Sequence, residues 1–247
     1  MDNEEFESLV EKIRGNLDTV ENRVRQSAEK ANRDPDGIKI IAVTKLMPVD
    51  TIRAGIAAGI RDFGENYPEQ AAEKILKLDA DEDLRWHMIG HIQSRKTDTV
   101  CQLFQMVHSL DRMKIARYLD RYSSEMDKIM PVLIEVNLSG EESKYGWQAW
   151  DEDSWSDLAD SLRKISGFNQ IEIKGLMTMP PLSDDPETTR PVYKRLSRLQ
   201  TFLRDALPDE TWDELSIGTS FDYEVAIEEG ATMVRIGTEI FGQRTYR

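Results

Sequence analysis

A lysine closes the first apolar run of this sequence, and an amine placed there could form a Schiff base with a carbonyl compound. Ile40-Ile41-Ala42-Val43 stops at Thr44-Lys45, and Pro48 follows where a helix would open. In parallel α/β proteins the C-terminal lip of a strand is where chemistry is done. Taken alone, a strand-end lysine is more often a surface cation. A second cluster lies near the far end of the chain. Met233-Val234-Arg235-Ile236 is an apolar strand carrying one arginine, and Gly237-Thr238 follows it directly. A glycine there lets backbone approach a ligand, and successive N–H groups can cradle an anion. Ser216-Ile217-Gly218-Thr219-Ser220 repeats the arrangement one unit upstream, again with small residues and hydroxyl donors. Arg235, a charge at the end of an apolar strand, needs a partner.

These residues need a scaffold, and the hydrophobic pattern supplies one. Phe6, Val10, Ile13, Leu17 and Val20 recur at helical spacing and predict a first helix over Glu4–Asn32. Asp34-Pro35-Asp36-Gly37 ends it as a turn. Short apolar strands then fit Ile38–Val43, Asp62–Phe63, Arg85–Ile89, Met106–His108, Val132–Val136, Ile171–Leu176, Glu214–Ile217 and Met233–Ile236. Amphipathic helices fit Val49–Ala58, Glu69–Leu78, Ser94–Phe104, Arg112–Lys128, Trp150–Ile165, Glu187–Ala206 and Tyr223–Glu229. Strict alternation argues for a parallel sheet with helices outside, and the count favours a single closed (β/α)8 TIM barrel over an open doubly wound sheet. Neither G-x-G-x-x-G after the first strand nor G-x-x-x-x-G-K-[ST] is present, which removes the main support for Rossmann and P-loop readings. The expected organisation is one domain over residues 1–247, with an N-terminal helix and turn over 1–36 and the barrel over 37–247.

Closing such a barrel makes strands eight and one neighbours. The amine of Lys45 then stands beside the donors at the ends of strands seven and eight. A cofactor with an aldehyde at one end and a phosphate at the other suits that arrangement, and pyridoxal 5′-phosphate (PLP) is such a molecule.

Composition narrows the remaining classes. The chain has 247 residues and a formal net charge of −14. A field of that sign repels phosphate backbones, so a nucleic-acid role is disfavoured. No run reaches membrane-span length and the start, Met1-Asp2-Asn3-Glu4-Glu5, is acidic, unlike a secretory signal. A cytoplasmic protein with no membrane association is expected. Cys101 is the only cysteine, so an intrachain disulfide and a thiolate metal cluster are excluded, and a buried structural thiol is expected.

The same blocks resemble the pyridoxal phosphate homeostasis proteins, whose fold looks like an alanine-racemase N-terminal barrel. The matching segments are Ala42-Val43-Thr44-Lys45-Leu46-Met47-Pro48, Phe63-Gly64-Glu65-Asn66-Tyr67 and Trp86-His87-Met88-Ile89-Gly90-His91-Ile92-Gln93. They continue through Val136-Asn137-Leu138-Ser139 with Lys144 and Gly146, Gly175-Leu176-Met177-Thr178-Met179, and Ser216 to Gly242. Arg95 departs from an expected asparagine, and Thr219 from a methionine.

The resemblance implies Lys45 as the lysine holding PLP as a covalent aldimine. Ser220, Gly237 and Thr238 would hold the phosphate, Arg235 would face the pyridine nitrogen, and Asn66, His87 and Met177 would line the pocket. An arginine beside the ring nitrogen tends to leave it unprotonated and weakens carbanion stabilisation. Racemases with this arginine also use a tyrosine from a C-terminal domain, and this sequence ends at Arg247, five residues after Gly242. The expectation is therefore a PLP-binding protein of intracellular vitamin B6 homeostasis. It would buffer PLP or deliver it to apo PLP-dependent enzymes, without substantial catalysis. The alternative is a PLP-dependent amino-acid racemase or aldolase.

Other features have plainer readings. His87 and His91 are four apart, but Met88 stands where H-E-x-x-H needs glutamate, so metal binding is not expected. His108 reads as a hydrogen-bonded pocket or core residue. Trp147, Trp150, Trp155, Leu158 and Leu162 read as a helix packed on the barrel, with Asp151-Glu152-Asp153 near its N-terminus. Lys144 is equally an anion contact or a solvated lysine.

Overall fold

A computed structural model describes residues 1–78, 83–141, 143–181 and 183–243. Parts of the expected 1–247 domain, residues 79–82, 142, 182 and 244–247, therefore lie outside the described residues. The strands are β1 (Lys39–Val43), β2 (Asp62–Glu65), β3 (Arg85–Met88), β4 (Met106–Leu110), β5 (Met130–Asn137), β6 (Trp147–Gln148), β7 (Ile171–Met177), β8 (Glu214–Thr219) and β9 (Met233–Ile236). The helices are α1 (Asn3–Lys30), α2 (Val49–Ala57), α3 (Pro68–Ile75), α4 (Thr97–Leu103), α5 (Met113–Glu125), α6 (Trp155–Ser166), α7 (Arg190–Ala206), α8 (Tyr223–Glu228) and α9 (Thr238–Phe241).

Eight strands pair in parallel around a closed ring, in the order β4-β3-β2-β1-β9-β8-β7-β5, and β5 returns to β4. The seam that matters for the site is β9 on β1, where Ile41 faces Arg235 and Ala42 faces Ile236. This is the (β/α)8 barrel expected from the alternation, with α1 added. The two-residue β6 is appended to β5 outside the ring. It is too short to carry an alternating pattern.

The period of two along each strand divides the apolar residues into two sets. Outward-facing residues such as Ala42, Phe63, Val107, Val132, Ile217 and Val234 join the inner faces of the helices in one large cluster. Inward-facing Ile41, Met106, Leu133, Met177 and Met233 form a small separate cluster inside the ring. That interior cluster leaves room for polar side chains, and His87, His108, Ser216 and Arg235 are all buried.

Asp2 and Glu5 form a capping box that starts α1. α1 then lies along the outside of the seam. Asn16 Nδ2 donates to the Ile240 carbonyl at 2.9 Å, Arg33 to that of Ile227 at 2.7 Å, and Arg14 to that of Ala57 at 3.0 Å. Arg23 bridges to Glu224 and Glu239. The helix thus braces α2, α8 and α9, the elements on either side of the β9–β1 junction.

Three helix starts fall later than expected: α4 follows a short 3-10 turn over Ser94–Lys96, and α6 and α7 are delayed for one shared reason. The Asp151 side chain accepts from the Asp153 N–H, and the Asp185 side chain from the Glu187 N–H. Each holds a short 3-10 turn, Glu152–Ser154 and Pro186–Thr189, ahead of the α-helix. Trp155, Leu158 and Leu162 pack inward as expected, whereas Trp147 lies in β6 and Trp150 is exposed.

Gly175 is a backbone requirement of the sheet. Its φ is +156°, and a Cβ there would sit 1.8 Å from the Glu214 carbonyl oxygen on the neighbouring strand. Gly175→Ala is expected to lower stability by on the order of 2–4 kcal/mol, read as a lower urea midpoint in equilibrium unfolding. An unchanged midpoint would contradict the β7–β8 register.

Candidate functional site

Lys45 is held from behind by a buried ionic knot. It lies in a turn closed by the Met47 N–H on the Thr44 carbonyl at 3.0 Å, with Leu46 at φ 63°. The Thr44 hydroxyl donates to Glu65 Oε1 at 2.7 Å, and Lys74 Nζ reaches both that oxygen at 2.7 Å and the Thr44 carbonyl at 2.8 Å. Thr44, Glu65 and Lys74 are all buried. Removing one partner of such a pair leaves an uncompensated charge, so the three residues hold one geometry. The turn at the end of β1 is therefore pinned to the end of β2 and the inner face of α3.

The opposite wall is the loop after β8. Gly218 has φ +87°, and a Cβ there would meet Ala226 Cβ at 2.6 Å and Tyr223 Cα at 2.8 Å, so the chain turns sharply against α8. Asp222 Oδ1 accepts from the Thr219 N–H at 2.8 Å and the Thr219 hydroxyl at 3.0 Å, while Tyr193 donates to Oδ2 at 2.5 Å. Ser220 is thereby presented inward, its Oγ 3.3 Å from the Gly237 N–H that donates to it. At the seam, a Cβ on Gly237 would lie 3.2 Å from the Val43 carbonyl oxygen. Glycine thus lets the end of β9 lie against the end of β1, two residues before Lys45.

These walls enclose a cavity of about 370 Å³ lined by Lys45, Asn66, Ser220, Arg235, Gly237 and Thr238. Among the described residues, Asn66 Oδ1 is buried with no hydrogen-bond partner, an acceptor available to a ligand. Arg235 is 5% exposed and anchored by neutral groups. Its Nη1 donates to the Ser216 carbonyl at 2.5 Å and the Ser216 hydroxyl at 2.6 Å. Its Nη2 donates to the Thr178 carbonyl at 3.2 Å and Met179 Sδ at 2.8 Å. One cavity thus joins an amine, a guanidinium, and hydroxyl and backbone donors suited to an anion.

Of the residues expected at the pocket from sequence, the structure brings these six together and places two elsewhere. His87 lies inside the barrel, bonded to Asp62 and His108. Met177 belongs to the small interior cluster. Neither lines the cavity.

Residues 15–245 match the family model for the alanine racemase N-terminal domain. The chain is 40% identical over 234 residues to a Pseudomonas aeruginosa protein named pyridoxal phosphate homeostasis protein, covering 95% of this chain and 96% of that one. The chain belongs to this family. A solved structure of its Synechococcus elongatus relative PipY, with PLP bound, superposes with a TM-score of 0.78 at 32% identity, over 89% of this chain and 100% of that chain. A Clostridium difficile alanine racemase shares the fold at a TM-score of 0.66 and 14% identity, over 96% of this chain and 57% of that chain.

Within this family fold, the two departures have local explanations. Thr219 lines the cavity and ties its hydroxyl to Asp222. Arg95 turns back onto Gln93 at 3.2 Å, in the loop after β3. Lys144 bonds Glu141 at 2.7 Å and the Met179 carbonyl at 3.3 Å, so it braces the loop after β5. His91 pairs with Asp111 at 2.9 Å and stacks on Tyr145, away from His87. Among the described residues no group of His, Cys, Asp and Glu is placed to hold a metal ion. Cys101 is fully buried, and burial raises its thiol pKa.

Sequence reasoning missed the supports: Glu65 with Lys74, Asp222 with Tyr193, and Glu135. Glu135 Oε2 is buried without a hydrogen-bond partner among the described residues. Burial, then the charge of Asp111, pushes its carboxyl up to about 7 against the pull of Arg235 and Arg112. From the ordinary value of 4.5 up to about 7, the folded chain holds a proton that the unfolded chain has released. The stability contributed by this group is therefore full below 4.5 and lost as pH rises through 7. Glu135→Gln is expected to exceed the native chain in stability at pH 8 by on the order of 2–3 kcal/mol. The gap should shrink toward zero at pH 4.5, as read by urea denaturation at both pH values.

Proposed function

We propose that this protein binds PLP reversibly, as a Schiff base to Lys45, and serves its homeostasis in the cytoplasm by buffering PLP or delivering it to apo PLP-dependent enzymes. The observation that carries this is the shared cavity, lined by Lys45 together with Ser220, Arg235, Gly237 and Thr238. An amine at that lip supplies imine chemistry with the aldehyde. The hydroxyls of Ser220 and Thr238 and the Gly237 N–H suit the phosphate. Asn66 offers a further polar contact. The family name and the PLP-bound relative support the choice of ligand. Among the described residues no helix is long and apolar enough to cross a membrane.

The proposal includes an absence of substantial catalysis, and Arg235 supports it. A guanidinium stays charged and donates hydrogen bonds, so a pyridine nitrogen held beside it would tend to stay unprotonated and the ring would be a weaker electron sink. His87 and Met177, given ligand contacts by the family resemblance, act at most from behind the pocket wall.

Purified protein mixed with PLP is expected to develop the visible absorption of an imine, and Lys45→Ala to leave the spectrum of free PLP. Incubation of the loaded protein with L-alanine should give no racemisation above the rate of PLP alone. Sustained turnover lost in Lys45→Ala would replace this reading with the racemase or aldolase one.

A further inference from the structure

A line of hydrogen bonds runs through the barrel interior from the cavity toward the opposite end. Arg235 Nη1 meets Ser216 Oγ at 2.6 Å, and Ser216 Oγ meets His108 Nδ1 at 2.8 Å. His108 Nε2 meets His87 Nδ1 at 2.9 Å, and His87 Nε2 meets Asp62 Oδ1 at 2.9 Å. Arg85 holds the far carboxylate through two bonds of 3.0 and 3.1 Å. The two imidazoles stand nearly perpendicular, at 87°. Asp62 also lines a cleft of about 460 Å³ at the start of the strands, beside Lys39 and Arg61. The line therefore connects the two ends of the barrel.

Its ends fix its direction. A guanidinium can only donate, and a carboxylate can only accept. Ser216 Oγ accepts from Arg235, so its single proton is free to go to His108 Nδ1. His108 then carries its proton on Nε2 and donates to His87 Nδ1. His87 likewise carries its proton on Nε2 and donates to Asp62. Every atom in the line is satisfied in this order, with both rings neutral.

We propose that His108 and His87 are positioning residues that, under the control of Asp62, fix which edge of the Arg235 guanidinium faces the ligand. An added proton on His87 would set two N–H groups against each other, unless His108 moved its own proton to Nδ1. Ser216 would then accept from both sides and its proton would lose its place. The disturbance would reach Arg235 without any residue of the pocket wall changing.

The charged surroundings favour the neutral order. His87 faces Asp62, Lys39 and Arg85; His108 faces His87, Arg235 and Lys39; Arg235 faces Tyr193, Asp222 and Glu135. Burial, reinforced by the cations, holds His108 well below its ordinary value. Burial also lowers His87, against the opposing pull of Asp62.

The proton order stands without the PLP reading, whereas its effect on the ligand rests on that reading, so the test has two arms. The chain has three histidines, and His91→Gln removes the one outside the line. Long-range ¹⁵N–¹H spectra of the ligand-free protein are expected to show His87 and His108 neutral and protonated on Nε2 at pH 7. A charged ring or an Nδ1–H tautomer at either position would overturn the proposal. In the second arm, His108→Leu is expected to weaken PLP binding about tenfold and shift the visible band. His108→Asn, which keeps an acceptor for Ser216, should return affinity to within about threefold. A folded His108→Leu with native affinity and spectrum would also overturn the proposal. If His108→Leu does not fold, the spectra of the first arm decide. If the native protein takes up no PLP, the functional reading fails and the first arm still decides the proton order.

Discussion

A guanidinium buried without a bonded carboxylate among the described residues is the constraint on which the interior of this barrel depends. Arg235 occupies a position where an aliphatic side chain would pack more cheaply, because a buried charge needs every donor answered. The answers come from the scaffold. The carbonyls of Thr178, just past β7, and of Ser216, within β8, accept from it, as do the Ser216 hydroxyl and the Met179 thioether. Accommodating this residue explains why the ring interior holds an incomplete apolar layer beside a line of polar side chains. The helices keep the large apolar cluster on the outside of the sheet, so stability and the polar interior are carried by different faces of the same strands.

The cavity walls follow the same division of labour. Lys45 and Ser220, which line the cavity, are each set by partners that do not line it. Thr44, Glu65 and Lys74 hold the turn that carries Lys45, and Asp222 with Tyr193 holds the loop that carries Ser220. The two assemblies meet across the seam, where Gly237 lies against Val43. α1 clamps that seam from outside through side-chain bonds to helix-end carbonyls. Precision at the site thus comes from loops pinned to rigid elements, which preorganises the donors at little cost when a ligand arrives.

The eight barrel strands were legible in the sequence because each is a short apolar run bounded by turn chemistry, and their succession implied closure. Lys45 and the Arg235-Ile236-Gly237-Thr238 run were legible because a polar residue at the lip of such a strand departs from its own local pattern. His87 gave no comparable signal for its direction. It lies only two positions short of the lip at Ile89-Gly90, and only the register with Gly64 and Met106 shows that it points into the ring below the cavity. Glu65 and Lys74, nine residues apart on different elements, have no spacing that advertises a pair. The delayed starts of α6 and α7 turned on Asp side chains that bond the backbone two residues on, a local competition that periodicity does not register.

The proposed function requires one PLP held covalently at Lys45, with its phosphate met across the β9–β1 seam. Borohydride reduction of the PLP-loaded protein followed by peptide mass mapping tests it most directly. One pyridoxyl group is expected, on the peptide containing Lys45. A modified peptide elsewhere in the chain, or no modification of any peptide, would contradict it.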